Sequence, residues 1–394
     1  MTTTANSLLA PLMDEPTEAE LVNRLEQVQA AMQVQNLDYY ICHCPDNVYY
    51  LTNFANLVFE RPFILVIGLN KPLSFLIPEL ERPHVVARSV GNIELFSYPE
   101  FPAPVGKRWN DRLQDMLPAS NVRIGIEPQC PFSVFQALPG EVVVSDLVDT
   151  VRMIKSDFEI GRITYSSQVM SEAHKHLLNA STVGTNCNTI NGEVTGLIRS
   201  KMLQDNPKAN QLATHLIGIP QSPSVSHDPH NFTDSSMMIE LGGPHVSVIN
   251  GTVNGYGAEV ERTYFCGHVP EEAKRPFDDM LEARQLALDL TRPGANMSEI
   301  DAQVNQLLKS KGYGEYLLHR TGHSFGVTRH EGPFLAEGYE EIIQPRMIFS
   351  IEPGIYIPGV GGFRFSDTVV VTEEGLQQLT YAPETLEELT LPLA

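Results

Sequence analysis

The chain has 394 residues, 42% of them hydrophobic, with 28 glycines and 28 prolines, a globular composition too long for one simple core. It carries 27 basic and 48 acidic residues, a formal net charge of −21. That surface repels phosphate backbones, which excludes the usual nucleic-acid binders, and it suits solubility in high salt.

Five cysteines form no disulfide framework. Cys42-His43-Cys44 is the only close pair, and no second pair completes a zinc pattern. No basic, apolar leader opens the chain, and the longest apolar run, Phe63 to Leu69, is too short to span a bilayer. A cytoplasmic location is the default expectation.

Residues 1–16 read as a loose arm. Thr17 and Glu20 form a capping-box pattern, and Leu21, Leu25, Val28 and Met32 recur at helical spacing up to Asn36. Strands are predicted at 37–44, 63–68, 73–77, 93–98 and 122–126, with helices at 85–90 and 109–116. This alternation predicts a small α/β domain with a largely parallel sheet. The composition changes near Val151 to Ser156, which places the boundary between domains 1–153 and 154–394. Beyond it the pattern predicts helices at 157–178 and 188–203, and strands at 215–219, 237–241 and 255–265. Two further helices follow, one from Pro270 to Leu290 and one capped by Ser298 and stopped by Gly312. Two antiparallel strands close the chain, Met347 to Ile351 and Phe363 to Val371, and these would bring Glu352 close to Arg364 and Asp367.

Candidate chemistry concentrates between His319 and Asp367. His319, His323, His330, Glu331 and Glu352 lie there among turn glycines. Upstream, Glu259 and Glu261 fall on one face of their strand, while His227 and His230 sit in the polar turn SPSVSHDPHNFTD. Two like charges so close need an answer: a metal, a proton or a cationic substrate.

The segments GYGAEVERTYFCG, HRTGHSFGVTRHEGP, SIEPGIY and GGFRFSDTVVV resemble the pita-bread family of creatinase, prolidase, aminopeptidase P and methionine aminopeptidase. The stretch from Arg24 to Thr52 is similar to the N-terminal domain of creatinase and prolidases. The resemblance implies a fold of mixed α/β and α+β class. A small N-terminal α/β domain would precede a C-terminal pita-bread domain with a curved antiparallel sheet, in a homodimer. Family peptidases hold two metals with two Asp, one His and two Glu. Here His323 and Glu352 match, Glu259 replaces an Asp, and Ser366 replaces the last Glu. Glu240 or, counted without gaps, Val248 stands at the first Asp position.

The motifs are closer in kind to the creatinase branch, which works without metal. That likeness implies catalytic roles for His227, Glu261, His323 and Glu352, and substrate contacts from Arg61, His330 and Arg364, with no cofactor. It implies hydrolysis of a C–N bond in a small carboxylate-bearing substrate, with ectoine ring opening as the leading candidate. His227 would take a proton from water and return it to the leaving nitrogen. The first alternative is a metal-dependent Xaa-Pro dipeptidase or aminopeptidase, in which Glu240, Glu259, His323, Glu352 and Asp367 gather around one divalent ion such as Mn²⁺ or Zn²⁺. The second is a pita-bread protein that has lost catalysis and binds peptides or partners.

Overall fold

The computed structural model describes residues 10–57, 59–232 and 234–393. The chain divides into two compact units, Asp14–Arg152 and Met153–Ala394, the latter joined by the residues before Asp14. The expected N-terminal arm lies outside the described residues up to position 9. After that it is tied down, Leu12 N–H donating to Gly161 O at 2.9 Å.

The first unit carries a six-stranded sheet: β1 (Tyr39–Cys42), β2 (Ile64–Gly68), β3 (Leu73–Pro78), β4 (Ile93–Tyr98), β5 (Arg123–Ile126) and β6 (Glu141–Val144). Their spatial order is β4-β3-β2-β1-β5-β6. The sheet is mixed rather than largely parallel: the short turn between β2 and β3 forces antiparallel pairing there, and β1 also pairs antiparallel with β2. Helices α1 (Glu18–Val34), α2 (Pro45–Thr52), α3 (Arg82–Arg88), α4 (Trp109–Asp115), α5 (Phe132–Phe135) and α6 (Leu147–Arg152) complete the unit. Thr17 caps α1, its hydroxyl accepting from Glu20 N–H, and Leu21, Val28 and Met32 are buried. Pro45 opens α2 where a turn is predicted; its fixed φ suits the first helical position.

In the second unit α7 (Asp157–Ala180) starts at a reciprocal cap between Ser156 and Glu159. It is followed by α8 (Cys187–Asp205), β7 (His215–Gln221), β8 (Gly242–Val253), β9 (Tyr256–Cys266), α9 (Glu271–Leu290) and α10 (Met297–Ser310). Asn296, not Ser298, caps α10. The remaining strands are β10 (Gly322–Ser324), β11 (Glu331–Leu335), β12 (Ile348–Ile351), β13 (Gly354–Ile357), β14 (Gly361–Arg364), β15 (Ser366–Thr372), β16 (Gly375–Gln378) and β17 (Thr390–Leu391). The main sheet is curved, runs β11-β10-β12-β15-β9-β8-β7 and is almost wholly antiparallel, with β16 added on β15 and β17 on β9; β13 and β14 form a separate hairpin.

Directly opposed residues share a face, so the register sorts the side chains. Asn250 faces Glu259, Val248 and Ser366 flank Glu261, and His323 pairs with Ser350 on one side and Phe334 on the other. All of these lie on one face of the sheet. The opposite face carries Val260, Arg262, Tyr264 and Asp367, packed with α7 and α9 into the main core. There Asp367, wholly buried, accepts from Arg262 at 2.8 Å and from Arg284 at 2.6 and 2.9 Å. Removing one partner of such a cluster strands buried charge. Asp367→Asn is therefore expected to cost about 3 kcal/mol of stability, measured by urea denaturation; an unchanged midpoint would contradict this role.

Candidate active site

The candidate site is built on the face that carries Glu259. This carboxylate accepts from Ser366 Oγ at 2.5 Å, from Ser350 Oγ at 3.2 Å, and from the Asn250 amide. Burial raises its pKa, but the nearby His323 and the Ser366 and Asn250 hydrogen bonds outweigh that and hold it below the ordinary carboxyl value. Two residues along β9, Glu261 grips Arg364 through Nε at 2.5 Å and Nη2 at 3.1 Å. Burial pushes Glu261 up to about 8, against the attraction of Arg364. Arg364 also donates to Tyr356 Oη at 3.2 Å. Tyr356 in turn donates to His319 Nε2 at 2.7 Å, because His319 Nδ1–H is spent on the Arg320 carbonyl at 2.8 Å.

His323 stands on β10 beside a register shift that falls between it and Ser324. Lys155, fully buried, braces that bulge by donating to Ser324 Oγ at 3.2 Å and Glu331 Oε1 at 3.0 Å. Glu331 is thus engaged in structure. His323 Nδ1–H donates to the Ser324 carbonyl at 3.0 Å, which leaves a lone pair on Nε2. That buried nitrogen has no hydrogen-bond partner among the described residues, yet Glu352 Oε1 lies 3.3 Å away. His330 stacks on His323 with ring centres 3.8 Å apart. Burial lowers the pKa of both imidazoles, that of His323 to about 4. Burial, then Glu259 and Glu261, raises Glu352 well above the usual carboxyl range.

A lone pair and a carboxylate face each other only if a proton or a metal ion lies between them. Like charges about 4 Å apart at an effective dielectric near 20 repel by roughly 4 kcal/mol. Three buried carboxylates therefore do not all stay ionised, although Arg364 and Arg320 both favour the charged form of Glu352. Two donor groups meet at Glu259: Glu259 with His323 and His330, and Glu259 with Glu261 and Glu352, each with its ligand atoms within 4.8 Å of one another. Because Glu261 is committed to Arg364, the donors would suit one ion, for which Glu259, His323 and His330 could serve as ligands with Glu352 in reach. Mixed carboxylate and imidazole donors fit Mn²⁺ or Zn²⁺.

Two expected metal ligands, Asp367 and Glu240, stand outside both donor groups. Asp367 is no ligand: strand alternation turns it to the opposite face, onto its two arginines. Glu240 is exposed, accepts from Ser224 at 3.2 Å and joins neither donor group; Val248 occupies the site face instead. His227 is half-buried in the loop that Ser226 ties to β14, where Gly362 N–H donates to Ser226 Oγ at 3.0 Å. Arg61, in the first unit, is held by Glu60 at 3.0 Å and Glu100 at 2.7 Å. Tyr356, Ser350, Asn250 and Lys155 escape sequence reasoning, because only the register shows which side chains meet.

The model of Metallopeptidase family M24 matches residues 163–373, and that of the Creatinase/Prolidase N-terminal domain matches residues 24–156. The Xaa-Pro dipeptidase of Pyrococcus furiosus is 27% identical over 91% of this chain and 97% of its own. The putative dipeptidase YkvY of Bacillus subtilis is 25% identical over 93% and 99%. Among solved structures, the prolidase of Pyrococcus horikoshii superposes with a TM-score of 0.80 at 24% identity, covering 92% of this chain and 99% of that one. The N-terminal domain of the FACT complex subunit SPT16 from chickpea superposes at 0.75 with 12% identity over 95% and 99%, which shows the fold alone.

These matches correct the expectation of a site without cofactor. The family is one of metallopeptidases, and the orphaned His323 nitrogen, facing carboxylates, is a donor set that fits an ion. The chain belongs to metallopeptidase family M24 and is a C–N hydrolase of the Xaa-Pro peptidase type with a pita-bread catalytic domain.

Proposed function

We propose that the protein is a metal-dependent hydrolase of small dipeptide-like substrates, using one divalent ion per chain. The observation that carries this is the His323 Nε2 lone pair set 3.3 Å from Glu352 Oε1, beside Glu259. The names of the relatives favour a dipeptide over the cyclic amidine ectoine as substrate.

Glu259, His323 and His330 would hold the ion, which supplies Lewis acidity and an activated water when bound. Glu352 is the acid–base group: its carboxyl, raised by burial and by two neighbouring carboxylates, takes a proton from water and returns it to the leaving nitrogen. Ser350, Ser366 and Asn250 fix Glu259. Arg364, clamped by Glu261, presents fixed positive charge beside Glu352 to oppose charge that builds on the scissile carbonyl oxygen. Burial removes water from the competition. Self-association into a homodimer belongs to the same proposal. Phe59, Phe101 and Val105, exposed on the loops joined by the Arg61–Glu100 pair, offer apolar surface for it.

Hydrolysis of Xaa-Pro dipeptides is expected to stop on chelation and return with Mn²⁺ or Zn²⁺, while Glu352→Gln lowers kcat by about a hundredfold or more. Full turnover in excess chelator would refute the proposal. Burial and the neighbouring carboxylates hold the Glu352 carboxyl well above its usual range, so an ion that enters beside it displaces a proton. Ion affinity should therefore rise with pH below the folded-state pKa of Glu352, by up to about tenfold per unit for each proton released, as read by calorimetric titration. An affinity flat with pH would contradict the assignment of Glu352.

A further inference from the structure

We infer that the buried Lys155–Glu331 ion pair is the positioning device that delivers His330 to the ion, an inference that rests on the single-ion reading above. His330 is the exposed member of its donor group; Glu259 on β9 and His323 on β10 are buried. His330 lies in the turn between β10 and β11, yet its ring stacks on His323 with centres 3.8 Å apart. An exposed side chain on a turn keeps one place only if the turn beneath it is held.

The Glu331 carboxylate holds that turn from inside. Its Oε2 accepts from Thr328 N–H at 3.2 Å and from Thr328 Oγ1 at 2.8 Å, and the same hydroxyl lies 3.1 Å from the His330 carbonyl. On the other side Gly326 makes room for it: a Cβ there would stand 2.1 Å from Glu331 Oε1. The Gly326 carbonyl accepts from Gly257 N–H at 2.8 Å, which ties the turn to β9.

A carboxylate set this deep needs a cation, and Lys155 supplies it. Its Nζ lies 3.0 Å from Glu331 Oε1 and 3.2 Å from Ser324 Oγ, with the two charged side chains 0% and 6% exposed. The lysine main chain is fixed as well: its N–H donates to the Arg346 carbonyl at 3.1 Å, and its carbonyl accepts from Arg346 Nε at 2.6 Å. Arg346 leads into β12, and Glu352 follows that strand. One lysine thus joins the turn of His330, the bulge of His323 and the approach to Glu352. It precedes the stretch 163–373 that the metallopeptidase model matches, so that stretch alone lacks the post. Lys155 and Glu331 belong to neither donor group. They act by orienting the residues that do, and such supports are worth roughly ten- to a hundredfold in metal affinity.

The test titrates the metal-free full chain with Mn²⁺ by calorimetry, for wild type, Lys155→Met/Glu331→Met, His330→Ala and the three changes together. Replacing both charged partners by apolar chains of similar size leaves no stranded buried charge. The pair variant should bind the ion about tenfold or more weakly than wild type. Adding His330→Ala should then cost little further, because the same donor has already been lost. A merely structural role predicts losses that add. The proposal is overturned if the pair variant binds as tightly as wild type, or if the two losses add. Should that variant not fold, Lys155→Met/Glu331→Gln takes its place in the cycle and is read by the same two outcomes. Should wild type bind no Mn²⁺, the single-ion reading fails on its own. The positioning role is then judged by NMR of isotope-labelled histidine rings, with the His330 signal identified by its loss in His330→Ala. Stacking on His323 should displace that signal in wild type, and the pair variant should return it toward the position of free histidine. A signal already at that position in wild type, or unmoved in the pair variant, would overturn the proposal.

Discussion

Three carboxylates share one buried face, and among the described residues Arg364 is the only guanidinium ion-paired with any of them. Glu259, Glu261 and Glu352 converge there, and Arg364 is clamped by Glu261 alone. Everything around this imbalance follows from the cost of crowding like charges away from water. Glu259 stays ionised because hydroxyl and amide donors surround it, whereas Glu261 and Glu352 are pushed up. A neutral His323 aims its lone pair into the same space. The arrangement is complete only when positive charge enters it.

The fold supplies the stiffness that holds such a site together. Strand period sorts β9 into two chemistries: Glu259 and Glu261 face the site, while Val260, Arg262 and Tyr264 face the helices. On β15 the same alternation gives Ser366 to the site and Asp367 to the arginine cluster behind it. A one-residue slip of either strand would exchange the two sets, so the buried ion cluster on the back also fixes the register of the front. Lys155 does comparable work at the β10 bulge, where the backbone must depart from the regular ladder to aim His323.

Much of this was legible in the sequence, because helices α1, α7 and α9 and strands β2 to β5 carry clean periodicity, and because the motif set points to the family and its curved sheet. The Glu259–Glu261 pairing on one face follows from alternation alone. Strand β8 was missed, since the glycines and proline at its start mimic a turn, and its long run buries both faces instead of alternating. Asp367 was misplaced because its partners, Arg262 and Arg284, come from 105 and 83 residues away. The expectation of a metal-free site rested on residues that differ from the family's usual ligands. It could not anticipate that His330 would stack on His323 and add a donor beside Glu259.

The central claim is that the crowded carboxylates and His323 hold one metal ion. Elemental analysis by plasma mass spectrometry of active protein purified without chelator tests it most directly. The account predicts one equivalent of a divalent transition metal per chain, lost in His323→Ala. Active protein with no bound metal, or with two tightly held ions per chain, would contradict it.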